Sequence, residues 1–199
     1  MDRNWWRAAV VASAGFSAVE TSVVLLSTTL LSATAAPHVQ EYLDQAHLTK
    51  AVGDVKVIAV SIIRLTFDVG RIGRHLRQPS ALLVSDGQTP DATLPDARPW
   101  IVAVNDDPQH SLGAHLVDNA AGYPVAGGRG FGWKGPYMDG LSADPWGSRY
   151  AVNVGKPDRQ AGESVIVLSP GPNRLVETPF DMVGLRLGGD DIAGLIGRR

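Results

Sequence analysis

A long apolar run marks the N-terminal part of the chain. From Ala8 to Gln40 the only charged side chain is Glu20. At about 1.5 Å of rise per residue, a helix of this length is long enough to cross a bilayer. The run therefore predicts a membrane-spanning helix. A carboxylate inside such a helix is costly unless a cation pairs with it, so Glu20 is a candidate functional residue.

A second apolar pattern follows Pro37 and has the spacing of one helical face. Gly70 then supplies a stop signal. We expect one nearly continuous helix from Phe16 to Gly70, with an amphipathic second part. Pro37 removes a backbone hydrogen bond, so it kinks this helix, ends the membrane span, or does both. The apolar positions recur at alternating steps of four and three: Leu48, Val52, Val55, Ala59, Ile62, Thr66 and Val69.

The rest of the chain carries shorter patterns separated by turn residues. Asp107 before Pro108 is typical of a helix start, and the apolar spacing after it predicts a helix from 108 to 119. Strand-like runs occur at 100–104, 149–154 and 163–168, and 79–84 fits a short helix or a strand.

Composition narrows the class of protein. Of 199 residues, 44% are hydrophobic and 19% are charged, which suits one globular domain beside the membrane helix. A net charge of −2 gives no electrostatic basis for binding nucleic acid. The chain has no cysteine, so an exported domain would be held by packing or by a bound ion.

Motifs of enzymes are missing from the sequence. It contains no serine-hydrolase elbow, no phosphate-binding loop ending in Lys-Ser or Lys-Thr, and no zinc-peptidase motif. His110 and His115 are five residues apart, and we expect them at surface or capping positions rather than at a metal. The chain is therefore expected to be a structural protein and not an enzyme.

Gly-Phe-Ser-Ala-Val-Glu at positions 15–20 resembles the processing site of type IV pilins and of the pseudopilins of type II secretion. The resemblance implies cleavage after Gly15 by a prepilin peptidase and N-methylation of Phe16. Counted from Phe16, Glu20 is fifth and Pro37 is twenty-second, which are the family's positions for its Glu and its helix-kinking Pro. In that family the Glu pairs with the N-terminus of a neighbouring subunit, so Glu20 is expected to act in subunit assembly.

A second resemblance lies between residues 133 and 150. Trp-Lys-Gly-Pro-Tyr-Met at 133–138 and Asp-Pro-Trp-Gly at 144–147 are similar to the signature of the major pseudopilin. Asp-Pro and Trp-Gly are turn dipeptides, and large rings anchor loops well. We expect the aromatic side chains here to hold this loop on the long helix.

The C-terminal turns resemble the family's calcium loop in part. The matching or adjacent positions would be Ser169, Asn173, Asp190 and Asp191, although Asn replaces an Asp and the loop is longer. Calcium takes six to eight oxygen ligands. Calcium binding and a solvated acidic turn that caps the last strand are both open readings of this segment.

These observations predict an α+β, pilin-like fold. It would have a long kinked N-terminal helix, an antiparallel sheet of three or four strands across its second half, and a long C-terminal loop. The expected parts are a leader (1–15), a transmembrane helix (16–36), an amphipathic helix (37–70) and a periplasmic domain (71–199). The segment 71–132 lies largely outside the resemblance.

The function implied is a subunit of a periplasmic pseudopilus in type II protein secretion, anchored once in the bacterial inner membrane. Its expected partners are copies of itself, other pseudopilins, the prepilin peptidase and the inner-membrane assembly platform. One alternative of the same class is a type IV pilus or competence pilin. An alternative of another class is a soluble binding domain or hydrolase, released by signal peptidase after Ala33-Thr34-Ala35.

Overall fold

A long helix forms the first element. The computed structural model describes residues 17–70, 82–102, 107–125, 127, 130–154, 164–181 and 186–198. Helix α1 spans Ala18–Val69, and its helical backbone continues through position 37. It ends at Gly70, whose φ of 80° is left-handed and favours glycine, as predicted. No helix within these ranges is both long and apolar enough to span a membrane.

The chain divides into two compact units, 1–44 and 45–199. The described part of the first unit is helical, and its side chains are exposed. All buried residues of the described ranges belong to the second unit, beginning at Ala51. The core of the protein is therefore built by the second unit, and each unit is described below by itself.

The second unit contains a small antiparallel sheet, which confirms the predicted α+β class. Two further short strands, β2 (Asp91–Ala92) and β5 (Leu175–Val176), pair with each other in parallel. This second sheet was not expected. The main sheet has four strands, in the spatial order β1 (Leu83–Val84), β3 (Ala151–Val152), β4 (Ser164–Ser169) and β6 (Ile192–Arg198).

Both faces of this sheet are covered, because successive residues of a strand point to opposite sides. Val152 and Val167 face a core shared with α1. Ile166 and Leu168 face a second core around Trp100 and Phe180, whose rings meet edge to face at 4.8 Å. Burial on both sides explains why β4 is an unbroken apolar run rather than an alternating one.

The predicted apolar face of α1 is confirmed at Val55, Ala59, Ile62 and Val69, which are buried, and Val52 packs partly buried against the same core. Leu48 is 49% exposed and Thr66 is also exposed, so these two predicted core positions are wrong. The reason is that α1 carries apolar residues on two faces, and the domain covers only one of them. The buried positions still follow steps of four and three: Ala51, Val55, Ile58, Ile62, Leu65 and Val69.

Two predicted elements in the middle of the chain are wrong in type or extent. The strand predicted at 100–104 begins inside a 3-10 helix, Pro95–Ile101, where Pro95 and Pro99 disfavour ladder hydrogen bonding. The helix predicted from 108 to 119 shrinks to α2, Leu112–Leu116. Its cap is the Ser111 hydroxyl, which accepts the Ala114 N–H at 3.3 Å, while Asp107 only stabilises the preceding turn.

The C-terminal part is more regular than predicted. In place of a long terminal loop, the chain returns to the sheet, and β6 pairs along the whole of β4 with one irregularity between Val165 and Ile166. Gly194 makes this possible, because a Cβ there would lie 2.9 Å from the carbonyl oxygen of Val55 on α1. The strand predicted at 163–168 is confirmed as Ser164–Ser169, and the one at 149–154 is reduced to two residues.

Candidate assembly surface

The first turn of α1 is closed by a reciprocal capping box. The Glu20 Oε2 accepts the Ser17 backbone N–H at 2.8 Å, and the Ser17 Oγ accepts the Glu20 N–H at 3.2 Å. Glu20 therefore caps its own helix, which the Ser-x-x-Glu spacing could have predicted. Gly15 and Phe16 lie outside the described residues, so their processing stays a prediction.

The apolar side chains of the first unit cover no core of their own. Val19, Leu25 and Leu31 are 72%, 60% and 68% exposed. Ser and Thr hydroxyls along this helix turn back onto carbonyl oxygens one turn earlier, as Ser27 does to Val23 at 2.8 Å. These hydroxyl groups are thus hydrogen-bonded within the helix. The exposed surface of this unit is therefore mainly apolar.

The second half of α1 has an exposed, mostly apolar row, interrupted by Arg64, on the side opposite its core face. We call it the outer stripe. Val57, Val60 and Phe67 in this stripe are 53%, 47% and 78% exposed. Steps of four and three residues place side chains along one side of a helix, as in helices that pack against another surface. The members of the outer stripe are Gly53, Val57, Val60, Arg64 and Phe67.

Gly53 is unusual within the outer stripe. Glycine in a helix interior costs about 1 kcal/mol relative to alanine. A Cβ at Gly53 would meet nothing within 4 Å, so no contact with a described residue requires glycine there. A glycine that is unfavourable for its own helix and faces open space would suit the close approach of a second backbone.

The loop 130–150 is fixed to α1 by aromatic side chains, as predicted. The Tyr137 hydroxyl donates to Asp68 Oδ2 at 3.0 Å, and the Tyr150 hydroxyl donates to Asp54 Oδ2 at 2.8 Å. Lys134 forms an ion pair with the other Asp68 oxygen at 2.8 Å. This lysine holds the pKa of Asp68 below its usual value, while burial raises the pKa values of both tyrosines. These contacts therefore hold the loop in a fixed position against the helix.

A cleft of about 610 Å³ lies between this loop and α1, within the second unit. Val57 and Ile58 line its helix side, and Tyr137, Met138 and Leu141 line its loop side. Lys50 and Asp54 pair at 2.8 Å along its edge. Because Val57 belongs to both the cleft and the outer stripe, the two form one continuous surface.

The residues predicted for calcium binding have their own partners in this structure. The Ser169 hydroxyl donates to Asp144 Oδ2 at 2.7 Å. Asn173 donates to the Glu177 carboxylate at 3.1 Å and accepts the Leu175 N–H at 2.8 Å. The Ser169 hydroxyl is thus hydrogen-bonded to the 144–148 turn, although its backbone pairs with Ile192, the residue after Asp191.

Asp191 is the member of this set that fits a cation. Its Oδ2 accepts the backbone N–H groups of Glu177 and Thr178 at 2.9 and 2.7 Å. Its Oδ1 is buried without a hydrogen-bond partner. Burial, with a further contribution from the Glu177 charge, raises the pKa of Asp191. A proton or a cation would satisfy this oxygen, and Asp190 precedes Asp191 in the sequence.

No group of three or more His, Asp or Glu side chains in the described ranges is arranged to hold a metal ion. Comparisons with protein-family models, with curated proteins and with solved structures find no match. The arguments for function therefore rest on the residues themselves.

Proposed function

We propose that this chain is a structural subunit of a filament of the pilin or pseudopilin type. Copies would pack through α1, using the exposed apolar surface of the first unit and the outer stripe of the second. The sequence resemblance favours the major pseudopilin of type II secretion within this class. The outer stripe is the observation on which the proposal chiefly rests.

The physical argument is that the outer stripe has no use inside one chain. Val57, Val60 and Phe67 remain exposed although the same helix buries a complete face in its own domain. A monomeric domain gains nothing from a second apolar row, and exposed apolar side chains grouped on one side of a helix are typical of interaction sites. Gly53 adds a helix-destabilising residue whose open surroundings would admit the backbone of a second chain.

The membrane location follows from the sequence resemblance and stays a prediction. So do the partners it implies: a prepilin peptidase, an inner-membrane assembly platform and other pseudopilins. In this scheme each subunit would wait in the inner membrane with its second unit in the periplasm. Growth of the filament would then move exported proteins outward, driven by a separate ATPase.

The experiment compares two substitutions of matched exposure in the full chain, expressed in its native host. Val60 in the outer stripe is 47% exposed, and Leu94, far from it in sequence, is 46% exposed. We expect Val60→Glu to abolish the ladder of chemically cross-linked multimers in membrane fractions, because it buries a charge at the contact. Leu94→Glu should leave the ladder intact.

Thermal unfolding of both variants supplies the control for folding. Exposed substitutions usually change stability by less than about 0.5 kcal/mol, so both melting temperatures should stay close to that of the parent chain. A Val60→Glu chain that still forms multimers, or a Leu94→Glu chain that loses them equally, would contradict the proposal.

The mass of the mature chain separates the remaining alternatives. A membrane-bound product that begins at a methylated Phe16 is the result expected for this class. A soluble product beginning near Ala36 would instead support the released binding domain or hydrolase.

A further inference from the structure

The chain contains two Asp-Gly pairs, and the fold places them in contrasting surroundings. The first pair is Asp86-Gly87, and the second pair is Asp139-Gly140. All four residues are exposed, so access to solvent does not distinguish the two pairs. The difference lies in how the backbone around each pair is held.

An aspartate followed by glycine can rearrange its own backbone, because glycine has no side chain to hinder the approach of its nitrogen to the carboxyl group. The glycine nitrogen attacks the carbon of the protonated carboxyl group and closes a succinimide ring. The carboxyl hydroxyl takes the N–H hydrogen and leaves as water. When water then cleaves the bond between this nitrogen and the original main-chain carbonyl carbon, the product is isoaspartate, whose backbone is longer by one methylene.

The backbone of the first pair is held on both sides. The Ser85 N–H donates to the Tyr150 carbonyl at 2.9 Å, and the Gln88 carbonyl accepts the Arg149 N–H at 3.0 Å. The glycine of this pair also lies directly against the chain beside it, since a Cβ there would be 2.8 Å from the Arg149 nitrogen. Ring closure at the first pair therefore requires these bonds to open, and the longer backbone would have no room.

The backbone of the second pair is free of such bonds. No backbone N–H or carbonyl of residues 138–142 has a hydrogen-bond partner among the described residues. The nearest fixed points are the Tyr137 carbonyl, which accepts the Ser61 hydroxyl at 3.2 Å, and the Asp144 N–H, which donates to Ser148 at 2.8 Å. A Cβ on the glycine of this pair would meet nothing within 4 Å. The pair can therefore rotate toward ring closure without breaking a native hydrogen bond.

We propose that Asp139-Gly140 is a site of isoaspartate formation in the folded protein, and that the fold protects Asp86-Gly87 from the same reaction. The reaction releases one water and consumes one water, so it needs no enzyme and no further reactant. This inference does not depend on the proposed filament function.

The modification would change the cleft between the aromatic loop and α1. Both residues of the second pair line this cleft, together with Met138 and Leu141. The added methylene lengthens the backbone between these two apolar side chains, and the carboxylate moves with it. The main sheet contains no residue of 138–142, so the change is confined to the loop side of the cleft.

The test is incubation of the full chain in detergent micelles at pH 6.0 and 37 °C for several weeks. Peptides that carry each pair are then analysed by mass spectrometry with electron-transfer fragmentation, which distinguishes isoaspartate from aspartate. We expect Asp139 to convert at least about tenfold faster than Asp86. A factor of ten corresponds to about 1.4 kcal/mol, which the opening of the hydrogen bonds at Ser85 and Gln88 would cost.

Two controls separate the effect of the fold from that of the dipeptide. In concentrated urea the two pairs should convert at similar rates, because both are then unfolded Asp-Gly sequences. Asp139→Glu keeps the charge but would have to close a larger ring, so it should abolish conversion at this position and leave Asp86 unchanged.

Three results would overturn the proposal. The first is conversion in the folded chain that is equal at the two pairs or faster at Asp86. The second is a folded chain in which Asp139 stays unmodified while the chain in urea converts. The third is a difference of the same size in urea, which would assign the effect to the neighbouring sequence and not to the fold.

Discussion

Aspartate carboxylates join segments that lie far apart along the chain. Asp54 on α1 accepts from Tyr150, and Asp68 accepts from Lys134 and Tyr137. Asp144 accepts two turn N–H groups and the Ser169 hydroxyl. Hydrogen bonds to charged acceptors are among the stronger ones in proteins, at about 1.5–3 kcal/mol each. Asp191 differs from these three because one of its oxygens is buried and unbonded.

Asp191 gives a prediction for calcium at the residue scale. Burial raises the folded pKa of Asp191, so the charged carboxylate is less favourable in the folded chain than in water, and a bound cation would offset that cost. We expect calcium to raise the melting temperature of the full chain at pH 7, with about 2.7 kcal/mol of stabilisation at 100 times the dissociation constant. The shift should diminish as the pH falls through the pKa of Asp191.

The matched variant for this prediction is Asp191→Asn, which keeps an acceptor for the two backbone N–H groups. It should abolish the calcium shift, whereas Asp91→Asn on exposed β2 should preserve it. Equal calcium shifts in both variants, or no shift in the parent chain over a wide calcium range, would exclude this site.

The sequence predicted which side chains anchor the aromatic loop but not their partners. Large rings such as Tyr137 and Tyr150 between turn dipeptides indicate a loop that must be fixed to something. Their acceptors, Asp54 and Asp68, are ordinary polar positions on a helix when only the sequence is considered. Pairings across 69 to 96 residues depend on the tertiary fold, so local patterns do not reveal them.

At the scale of elements, periodicity predicted the helix α1 and most of its buried face, but it also included positions that stay exposed. The helix and its end at Gly70 were predicted, because apolar residues recur at helical spacing up to a stop signal. The helix carries one apolar row on each side, and Leu48 and Val60 belong to surfaces the domain does not cover. Which row is buried is decided by the sheet that packs on it.

The contact between β6 and α1 supplies an element-scale prediction. Gly194→Ala places a methyl group 2.9 Å from the Val55 carbonyl oxygen, so strand or helix must shift. We expect a loss of about 1–3 kcal/mol in the free energy of unfolding, as is usual for overpacking. Gly197→Ala on the same strand meets nothing within 4 Å and should be neutral to within about 0.5 kcal/mol.

Denaturant unfolding of both glycine variants checks this contact. If Gly194→Ala proves as stable as Gly197→Ala, β6 does not approach α1 as closely as described.

At the scale of the whole molecule, all the burial belongs to residues 45–199. A fragment of these residues should therefore fold on its own, with a cooperative thermal transition close to that of the full chain. Circular dichroism and thermal unfolding of the fragment would measure this. An unfolded or aggregated fragment would show that the first unit contributes to the core.

The fold class could be predicted from the sequence, whereas the arrangement of strands could not. An α-helical pattern followed by short strand-like runs indicates an α+β domain. The sheet order is set by pairings such as Leu83 with Val152, which are far apart along the chain and two residues long. Strands of two residues are too short to show an alternating pattern of apolar and polar residues. Their pairing therefore depends on the packing of the complete core.

The place of β6 at one edge of the sheet has a consequence for the order of biosynthesis. Its residues follow every other described element along the chain, so the sheet that covers α1 is completed only when they have been made. At about 5–20 residues per second, roughly 6–26 seconds separate the end of α1 from the end of β6. For that time the core face of α1 lacks the sheet that covers it. During that interval the apolar residues of this face are not yet buried against their own domain.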